Sequence, residues 1–125
     1  MLPMKNRLKH MRDFDTIYKS GRFFGGPLAT AKVWKVEPEA YPRRKYTLDD
    51  LKIGFVVSTK VHKHAVERNR VKRQMREVVR LLLKENQLKL GYLIAVTATP
   101  RMIGTTYEEI EKNIIELLRR AQVMK

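Results

Sequence analysis

Between Lys60 and Arg80 the chain holds eight basic residues, Lys60, Lys63, Arg68, Arg70, Lys72, Arg73, Arg76 and Arg80, against two acids, Glu67 and Glu77. Wound as a helix at about 100° per residue, this segment puts Val71, Met75, Val78 and Leu82 in one narrow sector. Asn69, Arg73, Arg76 and Arg80 fall nearly opposite, with Arg68 and Lys72 beside them. One helix thus has an apolar side for a core and a cationic side for a ligand. A merely solvated face carries charges of both signs. Here carboxylates are few, and the arginines repel one another until phosphates neutralise them. Arginine's planar fork also suits paired phosphate oxygens. The whole chain agrees, since 27 Lys and Arg against 13 Asp and Glu give a formal net charge of +14 over 125 residues. Nucleic acid fits that field better than an anionic membrane surface, because phosphate contacts release counterions and give affinity without sequence readout.

Other chemistry is weakly supported. His10, His62 and His64 are the only histidines. Two of them could act as general acid and base in a metal-independent nuclease, but histidines two apart in a basic turn suit phosphate binding or solvent better. Asp49 and Asp50 stand in a loop and the acids of the last helix mainly suit its N-terminus, so no metal site and no catalytic residue is expected in this chain. The absence of cysteine excludes disulfides and thiolate metal sites and is compatible with a reducing cytoplasm. Met1 to Arg12 has no signal-peptide run, and no segment approaches the roughly 20 apolar residues of a membrane span. The expectation is a cytoplasmic protein, away from membranes, folded as a single domain over residues 1–125.

The elements that must position the basic helix follow from periodicity. Leu8, Met11, Phe14, Ile17 and Tyr18 share one face of a helix over Leu8 to Ser20, which Gly21 ends. Phe23 to Val36 reads as a first strand, with Ala29, Ala31 and Val33 alternating against Thr30, Lys32 and Trp34. Glu37 to Asp50, with two prolines and the triplet Arg43-Arg44-Lys45, reads as a polar loop. Lys52 to Ser58 and Tyr92 to Ala98 are apolar runs suited to buried strands. Thr105 or Thr106 can cap a closing helix, with Glu108 or Glu109 completing a capping box. Tyr107, Ile110, Ile114, Leu117, Leu118 and Ala121 then form its buried stripe. The order helix, strand, strand, helix, strand, helix indicates an α+β domain with one sheet packed against helices.

The string Ala65-Val66-Glu67-Arg68-Asn69-Arg70-Val71-Lys72-Arg73-Gln74-Met75-Arg76-Glu77 resembles the Arg-Asn-Arg signature helix of the bacterial ribonuclease P protein family. Arg-Asn-Arg, one residue, Lys-Arg, two residues, Arg is matched at all six positions. The resemblance extends to Arg7-Leu8-Lys9, Asp13-Phe14, Tyr18 and Gly21, to the strands containing Gly54 and following Gly91, and to the closing helix. Lys63 departs from it, standing where the family often has glycine. Composition alone would equally suit a ribosomal or chromosomal binding protein, and the signature helix argues against that.

The resemblance implies a central mixed sheet of about four strands packed with three helices, in the order α-β-β-α-β-α, as in the second domain of a small-subunit ribosomal protein. It implies an accessory subunit of an endoribonuclease whose large RNA holds the catalytic magnesium ions and cuts the 5′ leader from precursor tRNA. Arg68, Asn69, Arg70, Lys72, Arg73 and Arg76 would contact the catalytic RNA, with Arg80, Lys60 and Lys63 adding to that surface. Part of the same helix would line a cleft for the single-stranded leader, together with Phe14 and Tyr18, for which core packing is an equal alternative. Many members carry a leader-contacting aromatic on the first strand; Lys32 and Trp34 are the nearest candidates here. No obligate protein partner is implied. Removing Arg68 and Arg70 is expected to weaken RNA binding with little change in thermal stability.

Overall fold

A computed structural model describes residues 2–125. Its main elements are α1 (Met11–Ser20), β1 (Arg22–Gly25), β2 (Ala29–Lys35), β3 (Leu51–Val56), α2 (Ala65–Lys84), β4 (Tyr92–Ala98) and α3 (Tyr107–Arg120). The strands form one sheet in the order β1-β2-β4-β3. The β1–β2 and β2–β4 pairs are antiparallel, whereas β3 and β4 run parallel. A parallel pair needs a crossover, and α2 supplies it.

Alternation along the strands builds two cores. Ala31 and Val33 of β2, Ile53 and Phe55 of β3, and Ile94 and Val96 of β4 pack with the apolar sides of α2 and α3. Trp34, Leu93 and Ala95 turn the other way, onto Ile17 of α1, Leu8 and Tyr46. The sheet is thus the middle of three layers, with α1 on one face and α2 with α3 on the other. This explains why β4 is apolar on both faces. Val71, Met75, Val78 and Leu82 are buried as their sector requires, joined by Val79. Thr106, not Thr105, caps α3: its hydroxyl accepts from Glu109 N at 3.2 Å, and Thr106 N donates to the Glu109 carboxylate at 3.4 Å.

Three expectations need correction. The segment Phe23 to Val36 is a hairpin of two strands, because Gly25-Gly26-Pro27 breaks it. Asn113 of α3 holds that turn, its Oδ1 accepting from Leu28 N at 3.2 Å and Ala29 N at 2.9 Å. A side chain at Gly26 would collide with Asn113, its Cβ lying 2.7 Å from Nδ2. The first helix begins at Met11, not Leu8. Leu8 lies in an extended segment whose N–H donates to Ile53 O at 3.2 Å, and Met11 is 76 % exposed. Finally, the loop of residues 37–50 is not simply polar. Its Tyr46 is buried and donates to Asp13 Oδ1 of α1 at 2.7 Å. Burial raises the Tyr46 hydroxyl above its ordinary range, with the Thr16 bond opposing and Asp13 adding to the rise, so the group remains a donor.

Because Asn113 serves two backbone donors next to the core, Asn113→Ala is expected to cost about 3 kcal/mol, the penalty of leaving those N–H groups unpaired. Asn113→Asp keeps the acceptor and loses less. Urea unfolding of both variants checks this, and equal losses would mean that the acceptor is not what matters.

Candidate nucleic-acid interface

The 20-residue helix α2 buries one side and presents its cations on the other. Their partners differ. Arg68 Nη1 donates to the carbonyls of His62, at 2.9 Å, and Lys63, at 3.0 Å, so its guanidinium secures the turn that enters the helix. Arg70 pairs with Glu67 at 3.0 Å and Arg80 with Glu77 at 2.6 Å, each three residues apart. The Arg80 hydrogen bond holds the Glu77 carboxyl below its usual range. Among the described residues, Lys72, Arg73 and Arg76 have no acidic partner. Arg73 and Arg76 are exposed. Lys72 is half-buried, and burial together with the neighbouring Arg76 charge pushes its ammonium below the ordinary lysine range. A phosphate placed between Lys72 and Arg76 would relieve both strains.

Lys72 and Arg76 open onto a groove of about 410 Å³ beside β3, shared with Arg7, Lys9, Phe14 and Gly54. Four cations and no carboxylate line it. Its floor depends on glycine. A Cβ at Gly54 would lie 2.6 Å from Phe14 Cζ, so only the bare backbone lets the ring lie against the strand. Phe14 is half-buried there. The ring of Tyr18, one turn on, is 6.3 Å from that of Phe14, tilted by 31°, and Tyr18 is 45 % exposed. Lys32 of β2 joins this side of the sheet, its Nζ donating to Tyr18 O at 2.5 Å. A cationic strip beside tilted aromatic rings is the arrangement that holds an unpaired nucleic-acid strand.

Other anticipated residues lie elsewhere. Trp34 is corrected: it is 5 % exposed and packs edge-on against Tyr41 and Tyr46, so its ring cannot meet a base. The tyrosines of the loop that cover it were not legible in that loop's composition, and Lys32, half-buried on the same face of β2, is left as the candidate there. Lys60 and Lys63 are exposed in the connection before α2. Lys63 is not among the residues of positive φ, so no glycine is needed at that position. His62 Nδ1 accepts from His64 N at 3.0 Å, which commits it to the local turn. His10 precedes α1. Arg7 and Lys9 belong to the groove although sequence reasoning left them out of the site. Their signal was Arg7-Leu8-Lys9, two cations flanking a buried leucine in an extended segment.

The Arg68 contacts revise one expectation. Arg68→Ala is expected to cost about 1 kcal/mol of stability because two carbonyls lose a charged donor, whereas the exposed Arg70–Glu67 pair contributes little. Thermal melts of the two single variants separate them, and indistinguishable melting temperatures would contradict the anchoring role of Arg68.

The sequence description of the family "Ribonuclease P" matches residues 2–122. The chain is 38 % identical over 124 residues to the ribonuclease P protein component of a Pseudanabaena species, covering 99 % of this chain and 97 % of that one. It is 37 % identical over 122 residues to the corresponding Picosynechococcus protein, covering 98 % and 95 %. Among solved structures, the Staphylococcus aureus RNase P protein superposes with a TM-score of 0.76 at 26 % identity, covering 95 % of this chain and 97 % of that one. With the signature helix, the sheet order and the full-length match in agreement, the chain belongs to the ribonuclease P protein family.

Proposed function

We propose that this chain is the protein subunit of a ribonucleoprotein that removes the 5′ leader from precursor tRNA, and that it does so by binding two RNAs. The observation that carries this reading is the division of the cations on α2. Arg73, with Asn69 beside it, is exposed and turned away from the core, suited to the phosphates of the catalytic RNA. Arg68, Arg70, Arg80, Lys60 and Lys63 extend that surface. Lys72 and Arg76 line the groove with Phe14, suited to the single-stranded leader, and Tyr18 and Lys32 continue the same face. Phosphates meet the cations while bases stack on the rings.

The chain's own chemistry is binding and orientation. A groove with four cations and no carboxylate disfavours a divalent ion, which supports the reading that magnesium ions for such a reaction would be held by the RNA subunit and not by this groove. By holding the leader, the protein fixes the precursor against that centre. Among the described residues, no helix is long and apolar enough to cross a membrane.

The test is equilibrium binding of precursor and mature tRNA to the RNA subunit, with and without this protein. The protein is expected to raise affinity for the leader-bearing RNA selectively. An equal gain for mature tRNA would place the contact on the tRNA body and overturn the leader assignment.

A further inference from the structure

The sheet face that carries α1 is covered only in part. Strand register aligns Phe23, Lys32, Ala95 and Gly54 in one row across β1, β2, β4 and β3. Ala95 belongs to the α1-side core, and residues directly opposite on paired strands share a face, so the whole row lies on that side. Phe14 rests on Gly54 at one end and Lys32 reaches the Tyr18 carbonyl in the middle. Phe23 stands at the other end, on the edge strand, and is 64 % exposed. Its ring leans along its own strand over another glycine: a Cβ at Gly25 would lie 3.4 Å from Phe23 Cε2. The next row, Gly25, Thr30, Thr97 and Val56, is open or half-buried. Two rings, each laid over a glycine, therefore flank a strip of sheet with a lysine in its centre.

We propose that Phe23 is a further stacking platform, distal to Phe14 and Tyr18, which engages a base of the leader beyond those held at the groove and so makes binding depend on leader length. This rests on the leader-binding function proposed above. Three strand spacings of about 4.8 Å separate the ends of the row, roughly 14 Å, a span that an extended single strand covers in a few nucleotides. Phe23 contributes little to the core at its exposure, and an apolar ring on an open edge strand invites association. A base stacked on it removes that surface from water while keeping the backbone phosphates near Lys32.

The experiment measures affinities of the reconstituted ribonucleoprotein for precursor tRNAs whose leaders grow from one nucleotide to about ten, within the reach of a single-strand groove. Parent protein, Phe23→Ala, Phe23→Trp and Phe14→Leu are compared. Phe23→Ala is expected to equal the parent on the shortest leader and to fall about tenfold on long ones, the effect of losing one stacked base. Phe23→Trp should restore the long-leader affinity, and thermal melts of both should match the parent. If Phe23→Ala follows the parent at every length while Phe14→Leu loses leader binding, the distal platform is wrong and the groove stands. If neither variant changes leader binding, the groove assignment fails with it. A uniform loss that includes mature tRNA would place Phe23 against another part of the assembly and overturn the proposal.

Discussion

Tyr18→Leu in the reconstituted ribonucleoprotein is expected to weaken binding of leader-bearing tRNA by roughly 1 to 3 kcal/mol and to leave mature tRNA binding unchanged. Leucine keeps an apolar side chain but removes the π-face on which a base stacks. Tyr18 gives the cleaner result because its ring is substantially exposed, so folding depends little on it. Phe14→Leu is expected to show the same selectivity with some added loss of folding stability, since Phe14 is half-buried and its ring lies on Gly54. Affinities for both RNAs, read beside thermal melts, separate the effects. Equal losses for precursor and mature tRNA, accompanied by lower melting temperatures, would return both rings to core packing.

Neutralising Lys72 and Arg76 together should flatten the salt dependence of precursor binding. Each phosphate released from a single strand changes the slope of log affinity against log salt by about 0.7, so Lys72→Gln with Arg76→Gln should reduce it by roughly 1.4. Arg73→Gln, at an exposed position outside the groove lining, should act instead on the titration of the RNA subunit. Coincident slopes for parent and double variant would show that the groove cations do not meet leader phosphates. Lys72 adds a test in the free protein. Its ammonium is held below the ordinary range by burial and by Arg76, so between that lowered value and the ordinary lysine range the unfolded chain binds more protons than the folded one. Stability contributed by this group therefore rises with pH across that window. The rise should vanish in Lys72→Met, as melts over alkaline pH would reveal.

The elements with strong periodicity were legible before any coordinates. α2 and α3 declare their buried stripes, and β4 declares itself by being apolar on both faces. The hairpin at Gly25-Gly26-Pro27 was missed because alternation continues on both sides of it, although the glycines and proline were the signal. The start of α1 was misplaced for a different reason. Leu8 is buried, but through an extended segment beside β3, and helical spacing of apolar residues cannot distinguish that from a turn of helix. The buried polar residues Asp13 and Thr16 were hidden because their partner, Tyr46, comes from a loop that composition describes as polar. At the site, the signature positions identified the cationic helix. The Arg70–Glu67 and Arg80–Glu77 pairs follow from their three-residue spacing, whereas the Arg68 anchor depends on the path of the turn before α2 and the placing of Lys72 and Arg76 on the edge of β3. Trp34 shows the limit most clearly, since alternation gave its face and could not give the tyrosines that bury it.

The most direct measurement is cleavage of precursor tRNA at physiological magnesium by the RNA subunit from the same cell, by this protein, and by the two combined. Accurate removal of the 5′ leader is expected from the combination, with no cleavage by the protein alone and little by the RNA alone. Leader removal by the isolated protein, or a combined rate no higher than that of the RNA alone, would contradict a leader-binding subunit whose catalytic centre lies in the RNA.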